Sequence, residues 1–223
     1  MNRRIRSTVL MACMAFAAAW ASTARTADAP TRRTTLTFRQ GVDEYAGTVD
    51  VETWAVAPNT CLEGNPNAST DADNDGGESQ ILMKFEDVIG TKPRQIPPRS
   101  TVHAAKLVIS AFDEGTTVHL HRMLVPWKRT ATWNSLVAGV TADGLEASRQ
   151  KDGFTFGKIS ASTSAIPFEV TDTVQAWVNG TANHGWVFIN TGGNGWDFYT
   201  SEFEDIKQRP ALSVEFTTPA KGK

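Results

Sequence analysis

The chain has 223 residues, with 22 basic and 24 acidic side chains and a formal charge of −2, which suits one domain of ordinary size. That balance excludes the strong positive field a nucleic-acid-binding surface requires. Of the two cysteines, Cys13 lies in the N-terminal apolar stretch, so a processed chain keeps Cys61 alone and has no internal disulfide to staple it.

Taken in chain order, Arg3, Arg4 and Arg6 precede an apolar run over 8–21, and the small residues Ser22, Thr23 and Ala24 follow it. Charged, apolar, then small is the order of a secretory signal peptide. The predicted cut follows Ala24, with Ala27 and Ala29 as alternatives. Residues 1–24 are then the signal, 30–218 the domain and 219–223 a tail. The apolar run is shorter than the roughly 20 residues a membrane-spanning helix needs, which argues against an uncleaved anchor. Lipidation at Cys13 would cut the apolar run in two, which argues against a lipoprotein. The expectation is a secreted protein, extracellular or periplasmic, with no membrane association once the signal is gone. Its mature charge is −5, from 19 basic and 24 acidic residues after loss of the three arginines.

From Thr34 onward β-branched and aromatic residues recur at every second position, the pattern of strands with one face buried. It predicts strands over 35–39, 45–54, 80–85, 103–112, 117–124, 165–170, 186–190, 197–201 and 211–216. Nine short strands with polar or Gly/Pro turns point to an antiparallel β-sandwich, because an open sheet that large leaves long edges and a bare apolar face. One short helix is predicted, with Asp172 as N-cap, Val174, Trp177 and Val178 on its buried face and Gly180 at its end. The polar, aperiodic stretch 58–79 is predicted to be a long loop.

Within that stretch, Asp71-Ala72-Asp73-Asn74-Asp75-Gly76-Gly77-Glu78 places carboxylates at alternate positions of a turning segment. Asp71, Asp73, Asp75 and Glu78 are candidate ligands for calcium, a hard cation that takes several oxygens. Position 82 is leucine where an EF-hand needs glutamate, so the spacing is not that of an EF-hand, and an acidic solvated turn is the competing reading. His119 and His121 alternate on one predicted strand and present two nitrogens to one face, without a third zinc ligand in view. No nucleophile elbow, phosphate-binding glycine loop or zinc-protease helix is present, and the chain is expected not to be an enzyme. Six tryptophans remain after position 24: Trp54, Trp127, Trp133, Trp177, Trp186 and Trp196. Trp127 and Trp133 stand in loop-like surroundings where an indole face can stack on a sugar ring, with core or corner packing as the competing reading. Arg122, Lys128 and Arg129 near Trp127 supply charge for an anionic glycan.

Several segments carry a further signal: Ile81-Leu82-Met83-Lys84-Phe85-Glu86-Asp87, Ile96-Pro97-Pro98 with Ala105-Lys106-Leu107, and His121-Arg122-Met123-Leu124-Val125-Pro126-Trp127. They are followed by Ala131-Thr132-Trp133-Asn134-Ser135-Leu136, Val174-Gln175-Ala176-Trp177, His184-Gly185-Trp186, Gly195-Trp196-Asp197-Phe198 and Arg209-Pro210-Ala211-Leu212. In this order, across about 36–216, the chain resembles the DNRLRE-type domains of secreted bacterial and archaeal proteins, also described as carbohydrate-binding module family 96 and related to the repeats of disaggregatase. The resemblance implies a jelly-roll β-sandwich with one short helix and polysaccharide binding, alginate in the best-known cases. The expected function is a secreted, non-catalytic, calcium-stabilised polysaccharide-binding protein. A structural or adhesive surface protein is the alternative, and a polysaccharide-degrading enzyme stands third.

Overall fold

Among the described residues, eleven strands form where backbone pairing and side-chain alternation agree, and in two places where pairing alone decides. The computed structural model describes residues 32–113, 115–155 and 164–219, so the signal assigned to 1–24 and nearly all of the tail lie outside the described residues. The strands are β1 (Arg33–Arg39), β2 (Thr48–Trp54), β3 (Asn67–Asn74), β4 (Gly77–Phe85), β5 (Thr101–Ala111), β6 (Val118–Met123), β7 (Ala147–Thr155), β8 (Ser164–Glu169), β9 (Trp186–Asn190), β10 (Trp196–Tyr199) and β11 (Ala211–Thr217). All nine predicted strands are among them. The helix is α1 (Thr171–Val178), with Thr173, Val174, Trp177 and Val178 buried.

The pairing is antiparallel throughout the named strands. One sheet runs β1-β11-β5-β8 and the other β4-β9-β6-β7, with β2 added on the outer edge of β4. Counted without β2, β3 and β10, that is first, eighth, third, sixth against second, seventh, fourth, fifth, the double Greek key of a jelly roll. Strands β3 and β10 join the sheets along one side: β10 pairs with β5 at Phe198↔Ala111 and with β3 from Trp196↔Thr70 to Tyr199↔Asn67, and β3 continues onto β4. The ladder therefore passes from one sheet to the other without leaving raw edges there.

The 58–79 loop prediction is corrected by β3 and the start of β4. Asp75 and Gly76 have φ of 52° and 89° and sit between the paired residues Asn74 and Gly77. Two positive φ values in a two-residue connection make a type I′ hairpin, the turn whose twist matches its strands, and Asp-Gly is among its preferred sequences. The acidic segment is thus a hairpin tip.

Inside the sandwich, Trp186, Trp196, Phe85, Phe168, Phe188 and Phe198 are fully buried. Trp177 of α1 packs on Trp186 at 4.7 Å between ring centroids, and Phe188 meets Phe198 at 5.1 Å and Phe168 at 5.6 Å. Such pairs add to the burial of 150–250 Å² per aromatic ring. The helix differs from expectation at its start: Val170 is the N-cap and Asp172 lies inside the first turn. Side chains of the helix bond the sheet instead, with Thr171 Oγ1 accepting from Ala105 N–H and Gln175 Oε1 from Val102 N–H. Gly180 ends it as expected, at φ 104°, its N–H donated to the Trp177 carbonyl.

The second sheet is covered on its outer face as well. On β4, Ile81, Met83 and Phe85 point inward while Leu82 belongs to a separate buried cluster with Val51, Met123, Trp127 and Val187. Residues 124–146, between β6 and β7, form the cover. Gln80, outward on β4, receives the Val140 N–H at 2.8 Å and donates to the Val140 carbonyl at 3.0 Å, which fixes the far end of that cover. Where β9 begins, Gly185 has φ 69° and a Cβ there would collide with the Met83 carbonyl oxygen. Gly185→Ala should therefore lower stability by about 2 kcal/mol or more, read as a reduced denaturant midpoint with unchanged slope.

Candidate functional site

Residues of the 124–146 cover line two adjoining hollows. One, about 430 Å³, is lined by Pro126, Trp127, Lys128, Thr130, Ala131, Ser135 and Leu136. Its neighbour, about 380 Å³, is lined by Gln40, Thr48, Val49, Lys84, Glu86 and Arg129 together with Trp127 and Lys128. Sharing Trp127 and Lys128, the two make one open groove across the edge of the second sheet. A smaller hollow of about 260 Å³ lies beside Tyr45, rimmed by the exposed Asp43–Arg94 ion pair at 2.6 Å.

Trp127 is the floor of this groove. It is only 6 % exposed, so the free indole face expected from its loop-like flanks is not offered to solvent. Its Nε1–H donates to the His184 carbonyl at 2.7 Å, and Lys84 Nζ stands 4.9 Å from its ring centroid. The indole satisfies its polar end and buries the rest, as large aromatics in cores do. Lys84 is half-buried between that ring and Glu86, whose Oε1 lies at 2.7 Å. His184 is held below the ordinary imidazole range by burial and then by Lys84.

Lys128 is exposed on the groove wall and has no ion pair among the described residues. Arg129 reaches two carboxylates, Glu63 at 3.6 Å and Glu202 at 3.5 Å. Behind Glu202 lies Asp50 on β2, 4 % exposed. Asp50 Oδ2 accepts the Ser201 N–H at 3.0 Å, and Ser201 Oγ donates to Glu202 Oε2 at 2.8 Å. Desolvation, and after it the Glu202 charge, push the Asp50 carboxyl up to about 7. Two residues along β2, Glu52 is also pushed up to about 7 by burial, while the Ser69 N–H it accepts at 3.0 Å opposes the shift.

The structure therefore brings Trp127, Lys128 and Arg129 together and adds Lys84. The other two expected residues stand apart. Trp133 is half-buried with its ring over Gly139, where a Cβ would come within 2.6 Å of the indole. Val137, Ala138 and Gly139 follow with φ of 57°, 72° and 85°, a left-handed run that leaves Val137 84 % exposed. Arg122 is half-buried on β6 opposite Trp186, its Nε without a hydrogen-bond partner among the described residues, and it does not line the groove.

The carboxylates considered for calcium belong to the β3–β4 hairpin. Asp71 Oδ1 accepts from Asp73 N–H, Glu78 Oε1 accepts from Gln80, and Asp75 occupies the turn. His121 Nδ1 meets the Ser148 carbonyl at 2.8 Å and His119 Nε2 meets Lys151 Nζ at 3.0 Å. Among the described residues no group of three or more His, Cys, Asp or Glu side chains converges closely enough to hold a metal ion.

Lys84 is the groove residue that sequence reasoning missed. Its signal was present, as the single charge in the run Ile81-Leu82-Met83-Lys84-Phe85, since a lone lysine in an otherwise buried strand marks the spot where the outer face meets solvent. Compared with protein-family models and with curated proteins, the chain matches none.

Proposed function

We propose that the protein is a non-catalytic module that works outside the cytoplasm and binds a polysaccharide, of acidic character, along the groove over Trp127. The observation that carries this reading is the juxtaposition of Lys84, Lys128 and Arg129 along two adjoining open hollows with an aromatic floor. An open groove suits a chain that enters and leaves at its ends. Lysine and arginine heads meet sugar carboxylates, and the neighbouring Gln40, Thr48, Thr130 and Ser135 offer partners for hydroxyls. The resemblance to DNRLRE-type domains and the signal-like N-terminus support the same reading.

Affinity electrophoresis through gels containing alginate, pectate or a neutral glucan tests it. The native protein should be retarded by the uronate polymers. Lys128→Glu with Arg129→Glu should weaken that binding about tenfold or more, since tenfold corresponds to about 1.4 kcal/mol. Both side chains are exposed, so the double variant should keep its melting temperature within a few degrees. Absence of retardation in every gel would leave the structural or adhesive reading in its place.

A further inference from the structure

We propose that the carboxyl pair Asp50 and Glu202 controls how firmly Arg129 is withheld from the groove, so that an acidic glycan is taken up better in mildly acidic than in mildly alkaline surroundings; this rests on the polysaccharide reading of the groove.

The geometry is a relay from the sandwich edge to the groove wall. Asp50 is buried on β2, and its carboxyl is bridged through Ser201 to Glu202. Glu202 Oε1 faces Arg129 Nη2 at 3.5 Å, and Arg129 lines the groove. The segment carrying Ser201 and Glu202 is held in place from both sides. Thr200 N–H donates to the Pro66 carbonyl at 3.1 Å, and Arg209 donates through Nε to Phe203 O at 2.6 Å and through Nη1 to Gln40 O at 3.2 Å. The backbone on either side of Glu202 is thus anchored, and Ser201 Oγ holds its carboxylate.

Beside Glu202 the buried Asp50 carboxyl cannot ionise cheaply, because desolvation and then the like charge of Glu202 favour retention of its proton. With one proton between them the pair carries a single negative charge. Glu63, Glu86 and that charge then match Lys84, Lys128 and Arg129. When the proton leaves to solvent, the pair holds two negative charges, Arg129 is drawn more tightly to Glu202, and the wall gains an excess negative charge that opposes a polyanion. The charged groups facing the pair are Arg129 and, through it, Glu63. Glu52 on the same strand is turned toward Ser69 and Asp197. Behind the Trp127 indole, which donates to its carbonyl, His184 feels the charge of Lys84, and its protonation adds positive charge in the same pH direction.

The test pairs a ligand-free measurement with a binding measurement. Carbon-detected NMR should show the Asp50 carboxyl titrating near 7, with the Arg129 Nε–H shift following at the same midpoint. Affinity for an alginate oligosaccharide should fall roughly fivefold between about pH 5.5 and about pH 8.5, the effect of one unit charge several ångströms away at high effective dielectric. Asp50→Asn should abolish the Arg129 titration and most of the affinity change. Glu202→Gln, at the more exposed partner, should raise affinity at alkaline pH and flatten the profile. An Arg129 shift that ignores the pair, or an Asp50→Asn protein with the native pH profile, overturns the proposal and assigns the dependence to His184. Absence of glycan binding at both pH values sinks the polysaccharide reading and the ligand half of this one, while the NMR titration still decides the coupling.

Discussion

Trp127→Ala lowers the unfolding free energy by about 3–5 kcal/mol, the range for removing a large buried aromatic. The indole fills the centre of the cluster formed by Val51, Leu82, Met123, Val187 and the cover residues Ala131 and Val140. Its removal leaves a cavity on the outer face of the second sheet, strands the His184 carbonyl and takes away the ring under Lys84. Trp127→Phe should recover most of the packing and forfeit about 1 kcal/mol for the lost N–H donor. Because the cluster is separate from the main core, the damage should concentrate in residues 124–146. Urea denaturation gives the total, and amide hydrogen exchange should show those residues opening first. A loss below about 1 kcal/mol would mean that Trp127 does not anchor the cover. Reduced glycan binding by Trp127→Ala is consequently a folding effect, and Lys128 and Arg129 are the proper probes of the site.

Acidification from about pH 8 to about pH 5.5 stabilises the fold by a few kcal/mol, at about 1.4 kcal/mol per unit of pKa displacement. Asp50 and Glu52 titrate near 7 in the fold, displaced upward chiefly by desolvation, against about 4 in the unfolded chain. A carboxyl raised in this way holds its proton more tightly when folded. Its contribution is complete below the unfolded value and is lost as the pH rises through about 7. His119, His121 and His184 act oppositely: burial holds each below its ordinary value. Their contribution is present above about 6.5 and fades as the pH falls through the lowered values. Stability should therefore peak in the weakly acidic range. Asp50→Asn and Glu52→Gln should each raise the melting temperature at pH about 8 and leave it nearly unchanged at about 5. Equal destabilisation at both pH values would show that Asp50 is ionised and salt-bridged in the fold.

Alternation of apolar and polar residues was legible wherever a strand has one buried face, and it located nine strands and the helix. Strand β3 was hidden because its residues Asn67–Asn74 are polar. It exists because β10 and β4 offer backbone partners on either side, and pairing of that kind leaves no mark in side-chain pattern. Strand β7 was hidden for a related reason. Among the described residues it pairs only with β6, and the charged residues Arg149, Lys151 and Asp152 suit an edge that must not recruit other chains. Asp75-Gly76 carries a backbone signal beside its oxygens, since Asp-Gly between two strands favours a two-residue hairpin.

The site was half legible. Lys128 and Arg129 follow Trp127 directly, so their proximity is covalent and needed no fold. The burial of Trp127 depends on Val51, Leu82 and Val187, residues on other strands that only the folded sheet assembles. Asp50 illustrates the limit most clearly. Ser201, which bridges it to Glu202, lies 151 residues away, and a carboxylate on a strand looks like any solvated acid until its partner is placed beside it.

The most direct test of the groove as a polysaccharide site is a chemical-shift titration of the isotope-labelled protein with an alginate oligosaccharide. The account predicts that the perturbed amides cluster at Ala46, Val49, Lys84 and Glu86, at 127–131 and at Ser135 and Leu136, residues that line the two hollows, with the hairpin around Asp75 unmoved. Perturbations centred on the hairpin or on the β1–β11 face, or none at saturating oligosaccharide, would contradict it.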